Sequence, residues 1–289
     1  MPSQHQARKV IDLCRALIRA KGYSGEEADA AGVLKRFFVQ NGFDEVAVDE
    51  AGNVVGVIYG NRPGPCVLFD GHIDTVPVDE AAWSLDPFGA EERDGRLYGR
   101  GASDMKGAVA AMAVASARFA QSTGRDFAGK IVVAGIVQEE LFEGVASRFV
   151  GEAYKPDCVV IGEASNLNLK IGQRGRAEIV VETFGVTAHS AHPETGVNAI
   201  HSMMKAVEAI DRLPAQEHPL LHQGILVLTD IKSEPYPGSS CVPAYCRATY
   251  DRRTLVGETK EGVLAPIQKC LDRLSGEDPT FRAKVSYAA

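Results

Sequence analysis

The chain has 289 residues, 45% of them hydrophobic and 24% charged, enough for one large or two ordinary domains with cores of their own. Its formal net charge of -7, with no dense lysine or arginine cluster, excludes a general affinity for nucleic acid. No apolar run approaches the roughly 20 residues of a membrane span, and the start, MPSQHQARKVIDLC, has neither a signal-peptide core nor a small-residue cleavage site. The expectation is a cytoplasmic protein without a membrane partner.

Helical periodicity covers residues 4 to 20 and 26 to 41, the second stretch closing at Asn41-Gly42, a good stop signal. Apolar runs at 45 to 48, 53 to 59, 66 to 70, 130 to 137 and 157 to 162 read as strands, with a small-residue helix over 105 to 120. Such alternation predicts an α/β sheet with helices on both faces, in which sites form beyond the carboxyl ends of strands. After residue 172 the pattern changes to a strand at 174 to 184, a helix at 196 to 212, strands at 223 to 232 and 241 to 251, a helix at 257 to 274 and a strand at 280 to 287. That β-α-β-β-α-β order predicts a ferredoxin-like α+β unit. The predicted domains are therefore 1–172 and 173–289. The six cysteines contain no CxxC pair and several sit in apolar runs, so buried free thiols are expected.

Four apolar runs end in acids. VLFDGHIDTVP, Val67 to Pro77, places His72 and Asp74 two residues apart, on the same side of an extended chain. A carboxylate behind a histidine holds its second ring nitrogen and raises its basicity as a metal ligand; the pair could equally fix a turn. LYGRGASDMKGA, Leu97 to Ala108, resembles a dinucleotide fingerprint, but Asp104 occupies the third glycine position and would repel a pyrophosphate. Asp104 suits a metal ligand, with a simple N-cap as the alternative. In IVVAGIVQEELFEG a strand runs into Glu139 and Glu140, adjacent acids that repel unless a cation lies beside them. VVIGEAS ends likewise in Glu163.

The set GHIDTVP, GRGASDMKG, QEE and IGEAS resembles the dinuclear zinc aminoacylase, carboxypeptidase, acetylornithine deacetylase and succinyl-diaminopimelate desuccinylase family of metallopeptidases. The resemblance implies a zinc-exopeptidase-like sheet between helices over 1–172 and a lid and dimerisation domain over 173–289, giving a homodimer. It implies two zinc ions per active site, with cobalt or manganese as possible substitutes. His72 and Glu163 would bind one ion, Asp104 would bridge, and Glu140 would bind the second. Asp74 would orient His72, Glu139 would be the general base, and a non-proline cis peptide would follow Asp104. In GVTAHSAHPETGVNAI, His189 matches the histidine that reaches a partner subunit's site and stabilises the oxyanion. Arg253, in TYDRRTLVGET, matches the arginine that grips a substrate carboxylate, with a surface charge as the alternative and Arg252 pointing the other way along the strand.

The implied activity is zinc-dependent cleavage of an amide bond in an N-acyl amino acid or short peptide by metal-activated water. Two departures stand against it. Ser240 occupies a position where much of the family shows asparagine. No histidine follows His222, although the family carries one for the second zinc in a later segment, so weak occupancy of that zinc and uncovered apolar surface on the first domain are expected. A non-catalytic or impaired dimerising fragment is the alternative reading.

Overall fold

The computed structural model describes residues 4–238 and 240–288, with side chains from Ala7 onward. The chain divides into two compact units, Met1–Asn168 and Leu169–Ala289. In the first, helices α1 (Gln4–Arg19) and α2 (Ala28–Gln40) precede strands β1 (Glu45–Val48), β2 (Val54–Tyr59) and β3 (Arg62–His72). A small hairpin, β4 (Glu91–Arg93) and β5 (Arg96–Tyr98), leads to a wide turn, Ala102–Lys106, that runs into α3 (Gly107–Ser122). Strand β6 (Ala128–Ile136), helix α4 (Val145–Tyr154) and strand β7 (Cys158–Ile161) complete the unit.

The five strands form one mixed sheet in the order β1-β2-β6-β3-β7. β1, β2 and β6 pair antiparallel, whereas β3 runs parallel to both β6 and β7. The carboxyl ends of β3, β6 and β7 therefore share one edge of the sheet. Helices cover both faces, as adjacent residues of β3 show. A Cβ on Gly71 would press on Val109 and Met112 of α3, while the Asp70 side chain bonds Ser147 of α4. The core between sheet and helices includes Leu17, Leu34, Phe38, Val54, Ile58, Val109 and Val133. On β7, the edge strand, Val159, Val160 and Ile161 are exposed.

The second unit opens with β8 (Gly175–Phe184) and α5 (Ala199–Asp211), followed by a two-residue hairpin, β9 (Glu217–His218) and β10 (His222–Gln223). β11 (Ile225–Glu234), β12 (Tyr245–Thr254), α6 (Lys260–Glu277) and β13 (Arg282–Tyr287) follow. The sheet order β11-β12-β8-β13, antiparallel throughout, is that of a ferredoxin-like unit. Alternate residues of β8, Ala177, Ile179 and Val181, pack with Met203, Ile210, Ile267 and Leu271 from the two helices. Asn198 caps α5 by accepting from the Ile200 and His201 amides, and Thr259 caps α6 by accepting from that of Gly262.

Two first-unit helices differ from the sequence reading. Helix α4 was not anticipated, because its ten residues include Gly151 and only Ala146 and Val150 are buried, too few for a visible periodicity. The helix expected from residue 105 begins at Gly107, since Asp104 (φ -126°, ψ 100°) and Met105 (φ -132°, ψ 27°) are not helical. All six cysteines are free, and all but Cys158 and Cys241 are buried. Among the described residues no helix is long and apolar enough to cross a membrane.

Candidate metal centre

Chain segments from three strands and one turn meet at the shared sheet edge. His72 is the last residue of β3, Glu139 and Glu140 follow β6, Glu163 follows β7, and Asp104 lies in the turn before α3. The His72 ring is 2% exposed, so its nitrogens have fixed surroundings. Its Nε2 lies 3.0 Å from Asp104 Oδ1 and 3.7 Å from Glu163 Oε1. Ligand atoms of His72, Asp104 and Glu163 all fall within 4.8 Å of one another. One imidazole nitrogen and two carboxylates at that spacing suit a divalent ion, for which nitrogen and oxygen donors are ordinary ligands. Asp104 does not cap α3; its carboxylate faces His72 instead. The peptide bond from Asp104 to Met105 is cis.

Behind the histidine, Asp74 is fully buried. The His72 Nδ1 lies 3.1 Å from the Asp74 carbonyl oxygen and 3.3 Å from its carboxylate. The same carboxylate accepts from the Glu139 amide at 3.2 Å, the Glu140 amide at 3.1 Å and the Ser24 hydroxyl at 2.7 Å. Asp74 thus ties His72 to the turn carrying both glutamates. Holding Nδ1 in this way turns Nε2 toward the acids.

The electrostatics reflect crowded negative charge. Burial alone would lower the His72 pKa, but hydrogen bonds to Asp74 and Asp104 and the nearby Glu163 outweigh it and push it up to about 10. Burial, reinforced by Glu163, Glu140 and Glu143 against the pull of His72, lifts Glu139 to about 7. Glu140 and Glu163 are raised for the same first reason, burial, with Asp104 adding to it and His72 opposing. Asp74 goes the other way: burial would raise it, but its bonds to His72, Ser24 and the Glu140 amide hold it below the ordinary carboxylate range. A positive charge between these acids answers the demand, whether a proton or a divalent ion supplies it.

Glu140 is not in the three-residue group, although Asp104 and Asp74 perturb its carboxyl. His189 and Arg253 belong to the second unit. His189 is exposed, and its Nδ1 accepts from the Ala191 amide at 3.1 Å. The Arg253 Nε donates to Asp251 Oδ1 at 2.9 Å with the side chain 42% exposed, whereas Arg252 is buried against Glu258. Sequence reasoning missed Ser24. Its only signal is the polar SGEE between two helices, which reads as a helix start and says nothing of a carboxylate 50 positions away.

Residues 68–252 match the model of peptidase family M20/M25/M40. The chain is 30% identical over 266 residues to succinyl-diaminopimelate desuccinylase 2 of Ruegeria sp. (strain TM1040), covering 87% of this chain and 67% of that one. It is 30% identical over 301 residues to succinyl-diaminopimelate desuccinylase of Methylobacterium radiotolerans, covering 97% of this chain and 76% of that one. Its fold is similar to that of the Bacillus subtilis YXEP protein, a dinuclear metal-binding peptidase from the M20 family, with a TM-score of 0.70 at 15% identity over 99% of this chain and 74% of that chain. The chain thus spans between two thirds and about three quarters of the length of these proteins.

Proposed function

The chain belongs to peptidase family M20/M25/M40, whose members are hydrolases acting on amide bonds, and from that premise we propose that it is a zinc-dependent hydrolase of an N-acyl amino acid or short peptide. The observation that carries the reading is the gathering of His72 Nε2, Asp104 and Glu163 around one point, with Asp74 fixing the ring from behind. His72, Asp104 and Glu163 would hold one ion; Asp104 and Glu140 would hold a second. Bound there, zinc supplies Lewis-acid polarisation of the scissile carbonyl and lowers the pKa of water.

The remaining chemistry is the chain's own. Glu139 accepts the proton of the attacking water and passes it to the leaving amine, a task suited to a carboxyl lifted toward neutrality by burial and neighbouring acids. Its backbone amide, anchored on Asp74, keeps it beside His72. His189 would stabilise the tetrahedral oxyanion: an Nδ1 that accepts from Ala191 leaves the proton on Nε2, where it can be donated. Arg253, its fork steadied by Asp251, would grip the substrate carboxylate. A lid and dimerisation role for residues 173–289 and a homodimer belong to the same reading.

The test is elemental analysis joined to a hydrolysis panel of succinylated and acetylated amino acids and dipeptides. Zinc bound at one or two per chain, with turnover reduced about 10²–10⁴-fold in Glu139→Gln at unchanged zinc content, is the expected outcome. No zinc and no hydrolysis of any member would instead support a non-catalytic dimerising chain.

A further inference from the structure

The connection between α1 and α2 touches three of the four segments that bring charged groups to the metal centre. Gly22 accepts, through its carbonyl, from the Thr75 amide at 2.9 Å and from its hydroxyl at 3.4 Å, beside the exit of β3. Ser24 donates to Asp74. Glu27, only 5% exposed, accepts through one oxygen from its own loop at the Gly25 amide (2.8 Å) and from the Gln138 amide (2.9 Å), just before the two glutamates. Gln138 has φ 55°, a left-handed conformation that a side chain other than glycine keeps only where its surroundings fix it. From the third direction, Lys106, fully buried two residues after Asp104, donates to the carbonyls of Leu17 at 3.0 Å and Ala20 at 3.2 Å, closing the carboxyl end of α1.

We infer that the Ala20–Glu27 loop is a positioning bracket for the metal centre, with Ser24, Glu27 and Lys106 as positioning residues that set the spacing of the β3 exit, the Gln138–Glu140 turn and the Asp104 turn. Ser24 acts through Asp74, Glu27 through the Gln138 amide that precedes the two glutamates, and Lys106 through the chain it shares with Asp104. The role of the positioned groups rests on the proposed function, whereas the bracket itself can be tested without catalysis. Ser24 holds the fourth corner of the Asp74 carboxylate. Without its hydroxyl the acid keeps His72 and the two amides but gains rotational freedom, and both the ring and the glutamate turn follow it. Glu27 and Lys106 do the same work on the other two segments, Glu27 bridging its own loop to the distant Gln138 amide and Lys106 bonding two carbonyls 89 and 86 positions away.

The bracket is tested first by hydrogen exchange on the metal-free chain. Ser24→Ala is expected to speed exchange at the Glu139 and Glu140 amides at least tenfold while the thermal midpoint and the exchange of β6 stay as in the wild type; Glu27→Ala is expected to do this at Gln138. Unchanged rates at all three amides, or equal acceleration throughout β6, would overturn the bracket. The second readout is the affinity for zinc alone, by competition with a chromophoric chelator. Ser24→Ala is expected to bind about 10–100-fold more weakly, and Ser24→Thr, which keeps the hydroxyl, to restore binding. Equal affinity in wild type and Ser24→Ala would overturn the positioning role. A wild type that binds zinc and shows the expected exchange pattern but cleaves no amide would sink the hydrolase reading and support the bracket.

Discussion

Asp74 concentrates more of the site's order than any other residue there. It is a fully buried carboxylate that accepts from a ring, a hydroxyl and two backbone amides. Charge-assisted bonds of this kind are roughly twice as strong as neutral ones. Asp74→Asn keeps the shape but turns one acceptor oxygen into a donor that faces other donors, so zinc affinity is expected to fall about 10–100-fold, measured by chelator competition; an affinity within twofold of wild type would show that the carboxylate's charge does not matter. The thiols give a separate check on the core. Burial pushes Cys14 up to about 11, against the nearby Lys106 that opposes it. Because the folded value is raised above the ordinary 9.0, the stabilising contribution is fully present below that pH and is lost as pH rises through about 11. The stability difference between wild type and Cys14→Ala, read from urea midpoints at pH 8 and pH 11, is expected to shift against the wild type at the higher pH. At pH 8 a thiol reagent should modify exposed Cys158 rapidly and Cys14 only after unfolding.

At the scale of elements, the site depends on how closely α3 can approach β3. Gly71 permits that approach: a Cβ there would lie 2.6 Å from Met105 Cε and 2.8 Å from Val109 Cγ2. Gly71→Ala is therefore expected to cost about 1–3 kcal/mol by overpacking, and because Met105 adjoins Asp104, to weaken zinc binding as well. A variant that loses stability but binds zinc like the wild type would separate the packing from the site. What was legible in the sequence follows the same physics. Strands β3, β6 and β7 were readable because an apolar run that ends in an acid is a local pattern, which drew attention to His72 and Glu163, whereas Asp104 stood out in the glycine-rich GRGASDMKG turn. Ser24, Glu27 and Lys106 were not legible, since their partners lie 50, 111 and 86–89 positions away and only the fold makes them neighbours. The β4–β5 hairpin and α4 were invisible for a different reason: each is short and mostly exposed, so burial imposes no period on its residues.

Over the whole molecule, the described apolar core falls into two clusters that share no residue, one around Leu34, Val54 and Val133, the other around Ile179, Tyr250 and Leu271. Cores that share no side chain have no packing reason to melt together, so the two units are expected to open as separate cooperative blocks. Arg252 and Glu258 offer a way to disturb one of them. Their side chains are 11% and 8% exposed and directly bonded, and the second Glu258 oxygen accepts from the Leu255 amide at 2.7 Å. Glu258→Leu removes one partner and leaves a buried guanidinium without its counter-charge, a change that costs about 3–5 kcal/mol where such pairs are broken. Because that loss falls on Leu169–Ala289, native-state hydrogen exchange should speed by about two orders of magnitude or more in β8 and β12, following about 1.4 kcal/mol per factor of ten. The amides of β3 and β6 should keep their wild-type rates. Equal acceleration in both units would mean that they unfold as one block, and that the separation of their cores does not govern how the chain opens.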